Sequence, residues 1–112
     1  IIPMFRGILS TIYLDLKPGT TLNKIQNILK IFHKNNKFVK IKSINSFLST
    51  NDVMNTNYCF ISVCKTKFKD KIIILSVIDN LIKGGAGQAV QNMNLKFGFK
   101  NNEGLLWKNY HY

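Results

Sequence analysis

The 112-residue chain has few acidic side chains and almost no arginine. Five Asp and Glu residues stand against sixteen Lys and Arg residues, which gives a formal net charge of +11. Such a charge is typical of proteins that bind nucleic acid or another anionic surface. However, Arg6 is the only arginine, whereas base readout and bidentate phosphate binding favour the arginine fork. Because lysine is accompanied by fourteen Asn and fifteen Ile residues, we interpret most of the charge as compositional drift on solvated faces.

The sequence also lacks a long hydrophobic run. The longest, Ile72 to Ile78, has the length of a strand, whereas a membrane-spanning helix needs roughly 20 apolar residues. We therefore expect no membrane association. The chain opens on Ile1-Ile2-Pro3, without an initiator Met, a basic leader or a cleavage site. We interpret it as one domain from a longer protein, with no targeting segment.

Only two cysteines are present, and they lie five positions apart in an apolar segment. In a strand this odd offset places Cys59 and Cys64 on opposite faces of the sheet. We therefore expect neither a disulfide nor a shared metal site, and no metal at all. Two buried thiols are compatible with a reducing compartment, so we expect a cytoplasmic protein.

Four segments are rich in β-branched and aromatic residues and are bounded by turn signals, which predicts strands. They cover residues 8–16, 38–41, 58–64 and 72–78. The charged connection 65–71 predicts a hairpin between the last two strands, so we expect a mixed or antiparallel sheet. The polar segment 43–57 shows no clear period and is predicted to be a long loop.

Two segments carry apolar residues at the spacing of an amphipathic helix. The first follows Thr20 or Thr21, either of which can cap it, and ends near Asn35-Asn36; one face of it must lie on the sheet. The second runs from about Ile82 to Phe97, and Gly98 is placed to end it. The tail carries four apolar residues that predict docking rather than disorder: Leu105, Leu106, Trp107 and Tyr110.

Glycines are concentrated at the start of the second predicted helix. Gly84, Gly85 and Gly87 each cost roughly 1 kcal/mol relative to alanine in a helix, so a close approach by a ligand or another backbone must offset that cost. A helix amino end beside Lys83 is suited to an anion or a polar cofactor group. The alternative is tight packing of the helix on the sheet. Neither the P-loop motif nor the dinucleotide fingerprint is complete here.

Three longer blocks occur in order along the chain. They are Ile2-Pro3-Met4-x-Arg6-Gly7-Ile8-Leu9-x-Thr11-Ile12-Tyr13, Thr56-Asn57-Tyr58-Cys59 and Ile78-Asp79-Asn80-Leu81-x-Lys83-Gly84-x-Ala86-Gly87-Gln88-Ala89-Val90-Gln91-Asn92-Met93-Asn94. In these blocks the chain resembles the N-acetyl-γ-glutamyl-phosphate reductases. The related aspartate-semialdehyde and glyceraldehyde-3-phosphate dehydrogenases share an Asp-Asn at a comparable point, but the long last block and the Asn-Tyr-Cys block favour the arginine-pathway enzymes.

The resemblance implies an α+β fold with a mixed, largely antiparallel sheet and helices packed on one face, as in the C-terminal domain of glyceraldehyde-3-phosphate dehydrogenase. Residues 1–112 would form the C-terminal substrate-binding and dimerisation domain. Residues 80–112 would dock on the protein's own N-terminal nucleotide-binding domain. We also expect a homo-oligomer in which sheets of this domain meet.

The activity implied is that of an oxidoreductase in arginine biosynthesis, which reduces N-acetyl-γ-glutamyl phosphate to N-acetylglutamate semialdehyde with NADPH and releases phosphate. A Cys thiolate forms a thioacyl intermediate, a His acts as acid and base, and hydride moves between the acyl carbon and the nicotinamide. Neither catalytic residue is expected in this chain, which alone should be inactive. Cys59 resembles a family cysteine that is not the nucleophile.

The substrate-binding candidates come from the first two blocks. Arg6 matches a family position near the substrate, and its fork suits a carboxylate or a phosphate. The alternative for Arg6 is a surface ion pair. Asn57 and Tyr58 are the further candidates, for which strand capping and core packing are the alternatives.

The cofactor-binding candidates come from the last block. Asn80 is assigned to the nicotinamide carboxamide of NADP, since an amide side chain can both donate to and accept from that group. Lys83, Gly84 and Gly87 would support the cofactor side of the cleft. Gln88 and Gln91 are interpreted as solvent-facing.

A second hypothesis is a basic nucleic-acid-binding domain. It requires lysines clustered on one sheet face with stacking aromatic residues, and an affinity that falls steeply as salt rises. In the sequence Phe5, Tyr58 and Phe60 form no interleaved basic and aromatic pattern. We therefore expect weak, non-specific binding at most, and no specific nucleic-acid partner.

Overall fold

The computed structural model describes residues 3–106 as a four-stranded sheet with two α-helices. The elements are β1 (Ile8–Asp15), α1 (Leu22–Phe32), β2 (Val39–Ile41), β3 (Cys59–Lys65), β4 (Lys71–Ile78) and α2 (Gly87–Lys96). Across the sheet the strand order is β1-β4-β3-β2. β4 is antiparallel to both β1 and β3, and β2 runs parallel to β3. The mixed, largely antiparallel α+β fold is thus confirmed, as is the β3-β4 hairpin.

The register of the two antiparallel ladders brings distant segments together at one end of the sheet. Ile8, the first residue of β1, and Cys59, the first of β3, both pair with Ile78, the last residue of β4. The residues just before β1, just before β3 and just after β4 are therefore neighbours. This end of the sheet carries the candidate site.

The first helix begins where its cap was predicted. The Thr21 hydroxyl accepts a hydrogen bond from the backbone N–H of Lys24 at 3.2 Å. α1 packs on β2 and β3, and the buried Gln26 side chain donates to the carbonyl of Lys42 at 2.7 Å. The helix ends at Phe32, earlier than predicted, because His33 leaves the helical conformation.

The polar segment 43–57 is a loop, as predicted, with one short 3-10 turn at Thr50–Asp52. It nevertheless contributes to the core, because Leu48 and Val53 are buried against Val77 of β4. Burying side chains of this size stabilises a fold by about 1.5–3 kcal/mol each. The loop is therefore held in place close to the candidate site.

The second helix begins later than predicted. Residues Ile82–Ala86 form a wide turn, in which backbone N–H groups bond to carbonyl groups five residues earlier. Gly85 interrupts this turn with φ −145° and ψ −114°, so the regular helix starts only at Gly87. Gly98 ends α2 as predicted, with φ +75°. No helix within residues 3–106 is long and apolar enough to cross a membrane.

The two cysteines are free and have different neighbours, but both are half-buried, whereas buried thiols were expected. Cys59 Sγ lies 3.5 Å from Ser76 Oγ, whereas Cys64 Sγ lies 3.8 Å from the carbonyl oxygen of Ser46. No group of side chains suited to a metal ion is found among the described residues.

The tail docks through one of the two leucines that fall in the described part of the chain. Leu105 is 2% exposed, as expected, but Leu106 is 58% exposed, so the prediction for Leu106 is wrong. The two leucines are adjacent, and only one of them reaches the interior. Trp107 and Tyr110 lie outside the described residues.

β1 is an exposed edge of the sheet. All eight of its residues are exposed, although five of them are large and apolar: Ile8, Leu9, Ile12, Tyr13 and Leu14. A long apolar edge strand is a template for association with another chain, and soluble proteins normally cover it or break it with charges.

Candidate functional site

A buried carboxylate organises the end of the sheet where β1 begins and β4 stops. Asp79 directly follows β4 and is 1% exposed. It accepts hydrogen bonds from the backbone N–H groups of Leu81 at 2.9 Å, Ile82 at 3.1 Å and Asn55 at 2.9 Å. Burial raises the pKa of this carboxyl, but the backbone hydrogen bonds and one from Arg6 outweigh that effect, so the pKa lies below its ordinary value. Asp79 is therefore held as a carboxylate.

Arg6 is the charged partner of Asp79. Its Nη2 donates to Asp79 Oδ1 at 3.1 Å, and its Nε lies 3.0 Å from Oδ2 without a directed hydrogen bond. Nη1 donates to Asn55 Oδ1 at 2.8 Å. Because a guanidinium has five N–H groups, one N–H on each Nη nitrogen has no acceptor within residues 3–106. The Arg6 side chain is 19% exposed, so part of it is open to solvent.

A surface cavity of about 420 Å³ adjoins Arg6. Its wall has an apolar part, which includes Met4 and Met54, and a polar part formed by residues 49–51 of the loop. Both methionines are exposed. The cavity thus combines a cation, a polar wall and an apolar wall.

Asn80 lies beside the ion pair and is held by the backbone of the residue that follows Arg6. Its Oδ1 accepts a hydrogen bond from the N–H of Gly7 at 2.6 Å. Its Nδ2 has no hydrogen-bond partner in the part of the chain from residue 3 to residue 106. The predicted substrate residue and the predicted carboxamide-binding residue therefore stand side by side.

The glycines of the wide turn divide into two groups. Gly84 and Gly85 are exposed, and the nearest atom to a Cβ added at Gly84 would be the Ile78 Cδ1 atom, at 3.3 Å. Gly87 is buried, and a Cβ there would lie 2.5 Å from Asn57 Oδ1. Tight packing of the helix, which was the alternative interpretation, therefore explains Gly87. The outer glycines leave backbone open to a ligand.

Lys83 is held over the same turn by a network of amides. Its Nζ donates to Gln91 Oε1 at 2.7 Å, and Asn57 Nδ2 donates to the same oxygen at 3.0 Å. Gln91 is 4% exposed, so its assignment to solvent is wrong. Burial lowers the pKa of Lys83, while the neighbouring Cys59 acts in the opposite direction. Within residues 3–106 this cation forms no ion pair.

The placement of Asn57 and Tyr58 favours structural roles. Asn57 is 1% exposed. Tyr58 is half-buried, with its ring centroid 5.6 Å from that of Phe38 and 6.0 Å from that of Phe60. These contacts match the packing alternative for both residues, and their contact with substrate stays a prediction.

Two of the aromatic rings considered for nucleic-acid binding are approached by the protein's own lysines. Lys40 Nζ lies 5.8 Å from the Tyr58 ring centroid, and Lys42 Nζ lies 4.5 Å from that of Phe60. A base-stacking platform needs open aromatic faces. The arrangement therefore gives the nucleic-acid hypothesis no added support.

Sequence reasoning missed three residues that shape this site: Asp79, Gly7 and Gln91. One signal for Asp79 was available, since it is one of only five acidic residues and directly precedes Asn80. No local signal marks Gly7 or Gln91, because their partners come from other parts of the chain.

A family model described as "Semialdehyde dehydrogenase, dimerisation domain" matches residues 1–80. That span contains all four strands and α1. The chain belongs to the semialdehyde dehydrogenase family. In this semialdehyde dehydrogenase domain, Arg6, Asp79 and Asn80 lie inside the matched span, and Lys83 follows it. The matched domain is named for dimerisation, and this supports homo-oligomerisation.

Sequence relatives confirm the resemblance to the N-acetyl-γ-glutamyl-phosphate reductases. The chain is 44% identical over 106 residues to such a reductase from Staphylococcus saprophyticus, covering 95% of this chain and 31% of that protein. It is 49% identical over 105 residues to one from Clostridium botulinum, covering 94% and 30%. A probable chloroplastic reductase from Oryza sativa is 42% identical over 108 residues, covering 96% and 26%. The chain thus spans under a third of the length of these relatives.

Solved structures confirm the fold. The aspartate semialdehyde dehydrogenase II of Vibrio cholerae superimposes with a TM-score of 0.67 at 18% identity, covering 87% of this chain and 29% of that one. The same enzyme complexed with ASA gives the same values. At this identity the likeness concerns the fold alone.

Proposed function

We propose that this chain is the C-terminal substrate-binding and dimerisation part of an N-acetyl-γ-glutamyl-phosphate reductase. The intact enzyme reduces N-acetyl-γ-glutamyl phosphate to N-acetylglutamate semialdehyde with NADPH and releases phosphate. The observation that carries the proposal is the meeting of Arg6 and Asn80 at one end of the sheet, through Asp79 and Gly7. The Arg6 guanidinium suits an anion, and the Asn80 amide suits a carboxamide. The two groups would therefore border a single binding site.

Arg6 is assigned to an anionic group of the substrate. The two N–H groups without acceptors sit on different Nη nitrogens, a pairing suited to bidentate contact with a carboxylate or phosphate. Asp79 neutralises part of the Arg6 charge but fixes the plane of the guanidinium, which lowers the entropy lost on binding. The adjoining cavity is assigned to the uncharged part of the substrate, with its apolar wall next to the methyl group of the N-acetyl moiety.

The residues after β4 fit a nicotinamide cofactor, for which we propose NADP. Asn80 offers an amide donor, the exposed backbone at Gly84 and Gly85 permits close approach, and Lys83 adds a cation held by Gln91. Gly87 is assigned an indirect part, since it lets α2 lie against Asn57. When bound, the cofactor supplies the hydride. The catalytic Cys and His are proposed to lie in the N-terminal region of the intact enzyme, in agreement with the greater length of the relatives.

A second copy of the domain is the proposed cover for β1. The strand exposes large apolar side chains along its whole length, and it falls inside the span matched by the dimerisation-domain model. Burying such an edge in a homo-oligomer removes an association hazard and adds apolar burial.

The protein's own N-terminal nucleotide-binding domain is the proposed partner of residues 80–112. On and just after α2, four large apolar side chains are more than two-fifths exposed: Met93, Leu95, Phe97 and Phe99. They form an apolar surface along and beyond the helix that follows the turn assigned to the cofactor. With two free cysteines, a reducing cytoplasmic location is part of the same proposal.

The proposal is tested by assaying the intact enzyme for NADPH oxidation with N-acetyl-γ-glutamyl phosphate, and with β-aspartyl phosphate as the competing acyl phosphate. We expect turnover with the first substrate, far less with the second, and none by residues 1–112 alone. No turnover of N-acetyl-γ-glutamyl phosphate by a folded, full-length protein would remove the proposed activity.

An Arg6→Lys variant tests the role given to the fork. It keeps the charge but loses the bidentate geometry, so we expect a higher KM and a loss of about 2 kcal/mol in transition-state binding. Lys30→Ala, which removes an exposed cation from the last turn of α1, is the control and should leave the kinetics unchanged.

A further inference from the structure

The hydrogen bond between Gly7 and Asn80 fixes the orientation of the Asn80 amide. A backbone N–H can only donate, so the Asn80 atom 2.6 Å from Gly7 N must be the oxygen. The NH2 group of Asn80 therefore points away from the Gly7 N–H, and neither of its hydrogens has an acceptor within residues 3–106.

Both sides of this bond are anchored. On one side, Arg6 is held by Asp79 and Asn55, and Gly7 has φ +115° with Thr50 directly against it. A Cβ at Gly7 would lie 2.6 Å from two carbon atoms of the Thr50 side chain, so only glycine fits without a shift.

On the other side, the chain around Asn80 is held by its neighbours. Asp79 accepts hydrogen bonds from the N–H groups of Leu81 and Ile82, and Ile78 pairs with Ile8 and Cys59 in the sheet. Turning the Asn80 amide over would place its NH2 against the Gly7 N–H, so a donor would face a donor and the Gly7 N–H would lose its acceptor.

We propose that the Gly7 N–H is a positioning group for the cofactor site. It occupies one lone pair of Asn80 Oδ1 and turns the amide so that Nδ2 donates to the carbonyl oxygen of the nicotinamide carboxamide, rather than Oδ1 accepting from the carboxamide NH2. The inference rests on the proposed function, in which Asn80 contacts the nicotinamide, and adds the polarity of that contact and the group that sets it.

The polarity has a consequence for cofactor analogues. In the 3-acetylpyridine analogue of NADPH a methyl group replaces the carboxamide NH2, and the carbonyl oxygen is kept. Asn80 therefore contributes equally to the binding of NADPH and of the analogue. If Asn80 were the acceptor, its contribution would be lost with the analogue, which has no NH2 group.

The test measures dissociation constants for both reduced cofactors by fluorescence titration of the intact enzyme without substrate. The variants are Asn80→Ala, which removes both ends of the amide, and Asn80→Asp, which keeps an acceptor for Gly7 but lacks the NH2 group. We expect each variant to weaken NADPH and the analogue by the same factor, about three- to tenfold. Asn92→Asp, an exposed change on α2, controls for the added negative charge.

Two results overturn the inference in distinguishable ways. A loss with NADPH but none with the analogue means that Asn80 is the acceptor, so the polarity is wrong while the cofactor contact stands. No loss with either cofactor in Asn80→Ala means that Asn80 does not contact the nicotinamide, and the proposed cofactor site falls with the inference.

A second measurement reads the Gly7 bond itself without any cofactor. In the intact enzyme labelled with 15N-glycine, the Gly7 amide proton should exchange slowly with solvent in the unaltered protein and in Asn80→Asp. It should exchange faster by tenfold or more in Asn80→Ala, as about 1.4 kcal/mol of protection is lost. Equal exchange in Asn80→Ala and the unaltered enzyme overturns the positioning role.

Discussion

Asp79 and Arg6 are 73 residues apart in the chain, yet their side chains form a largely buried ion pair, with Nε and Oδ2 3.0 Å apart. The same carboxylate accepts backbone hydrogen bonds at the start of the turn before α2. One side chain thus joins the entry to β1 to the exit from β4 and begins the turn assigned to the cofactor.

Replacing Asp79 by Ala should destabilise the protein by about 3 kcal/mol or more, because the change leaves Arg6 and three backbone N–H groups without their acceptor. Chemical unfolding of the intact protein measures the loss. Asp15→Ala is the matched control, since it breaks the exposed ion pair with Lys71 and should cost far less. Equal losses from the two changes would contradict the structural role of Asp79.

The stability that Asp79 confers should depend on pH in a defined direction. Its folded-state pKa is lowered below the ordinary value of 3.8, so the folded protein holds this carboxyl ionised more strongly than the unfolded chain does. The contribution is therefore fully present above about pH 5 and is lost as the pH falls through the lowered pKa. The stability difference between the unaltered protein and Asp79→Asn should stay constant above about pH 5 and shrink as the pH falls from there toward about pH 3. If the stability difference grows on acidification instead, the folded-state pKa of Asp79 is not lowered and the account is wrong.

Gly87 is predicted to be required by packing. In Gly87→Ala the new Cβ would lie 2.5 Å from Asn57 Oδ1 and 2.7 Å from Ile82 Cγ2, so we expect a loss of about 2 kcal/mol from overpacking. Gly84→Ala is the control, because the nearest atom to its Cβ is the end of the Ile78 side chain at 3.3 Å. Thermal unfolding should rank the two variants in that order, and a well-tolerated Gly87→Ala would show that the packing account of this glycine is wrong.

Lys83 is predicted to act through its positive charge. Gln91→Glu places a carboxylate next to its ammonium, which lies 2.7 Å from Gln91 Oε1. We expect the dissociation constant for NADPH to rise about threefold or more, because the new charge neutralises the cation. Gln88→Glu adds the same charge one turn earlier on α2, at a side chain that bonds Asn92. If both variants bind NADPH alike, Lys83 plays no part in cofactor binding.

Association through β1 should be sensitive to charge. A double variant, Ile12→Lys with Tyr13→Lys, places a cation on each face of the exposed edge strand, and we expect it to shift the intact protein toward monomers in sedimentation velocity. Phe68→Lys, in the connection between β3 and β4, removes an exposed aromatic side chain elsewhere and should leave the assembly intact. An oligomer unchanged by the double substitution would assign the interface to another surface.

Much of the fold could be predicted because its signals are local. Residue alternation and β-branched side chains mark the strands, Thr21 sits at the cap of α1, and Gly98 adopts the left-handed conformation that ends α2. The start of α2 could not be predicted in this way. Gly85 interrupts the turn with a non-helical backbone, and Gly87 is packed against Asn57, a contact that no sequence period encodes.

The candidate site could be predicted only in part for the same reason. The scarcity of arginine drew attention to Arg6, and the resemblance drew attention to Asn80. Their meeting depends on the pairing of Ile8 with Ile78, which the predicted hairpin does not specify. Asp79 was missed because an acidic residue after a strand gives no sign of the partner that it meets across the sheet.

The central claim is that Arg6 and Asn80 face one site, where a substrate anion meets a nicotinamide. A crystal structure of the intact enzyme with NADP and a substrate analogue bound tests it most directly. We predict the carboxamide oxygen about 3 Å from Asn80 Nδ2 and the anionic group at the two open N–H groups of Arg6. A nicotinamide bound far from Asn80, with Arg6 contacting only Asp79 and Asn55, would contradict the account.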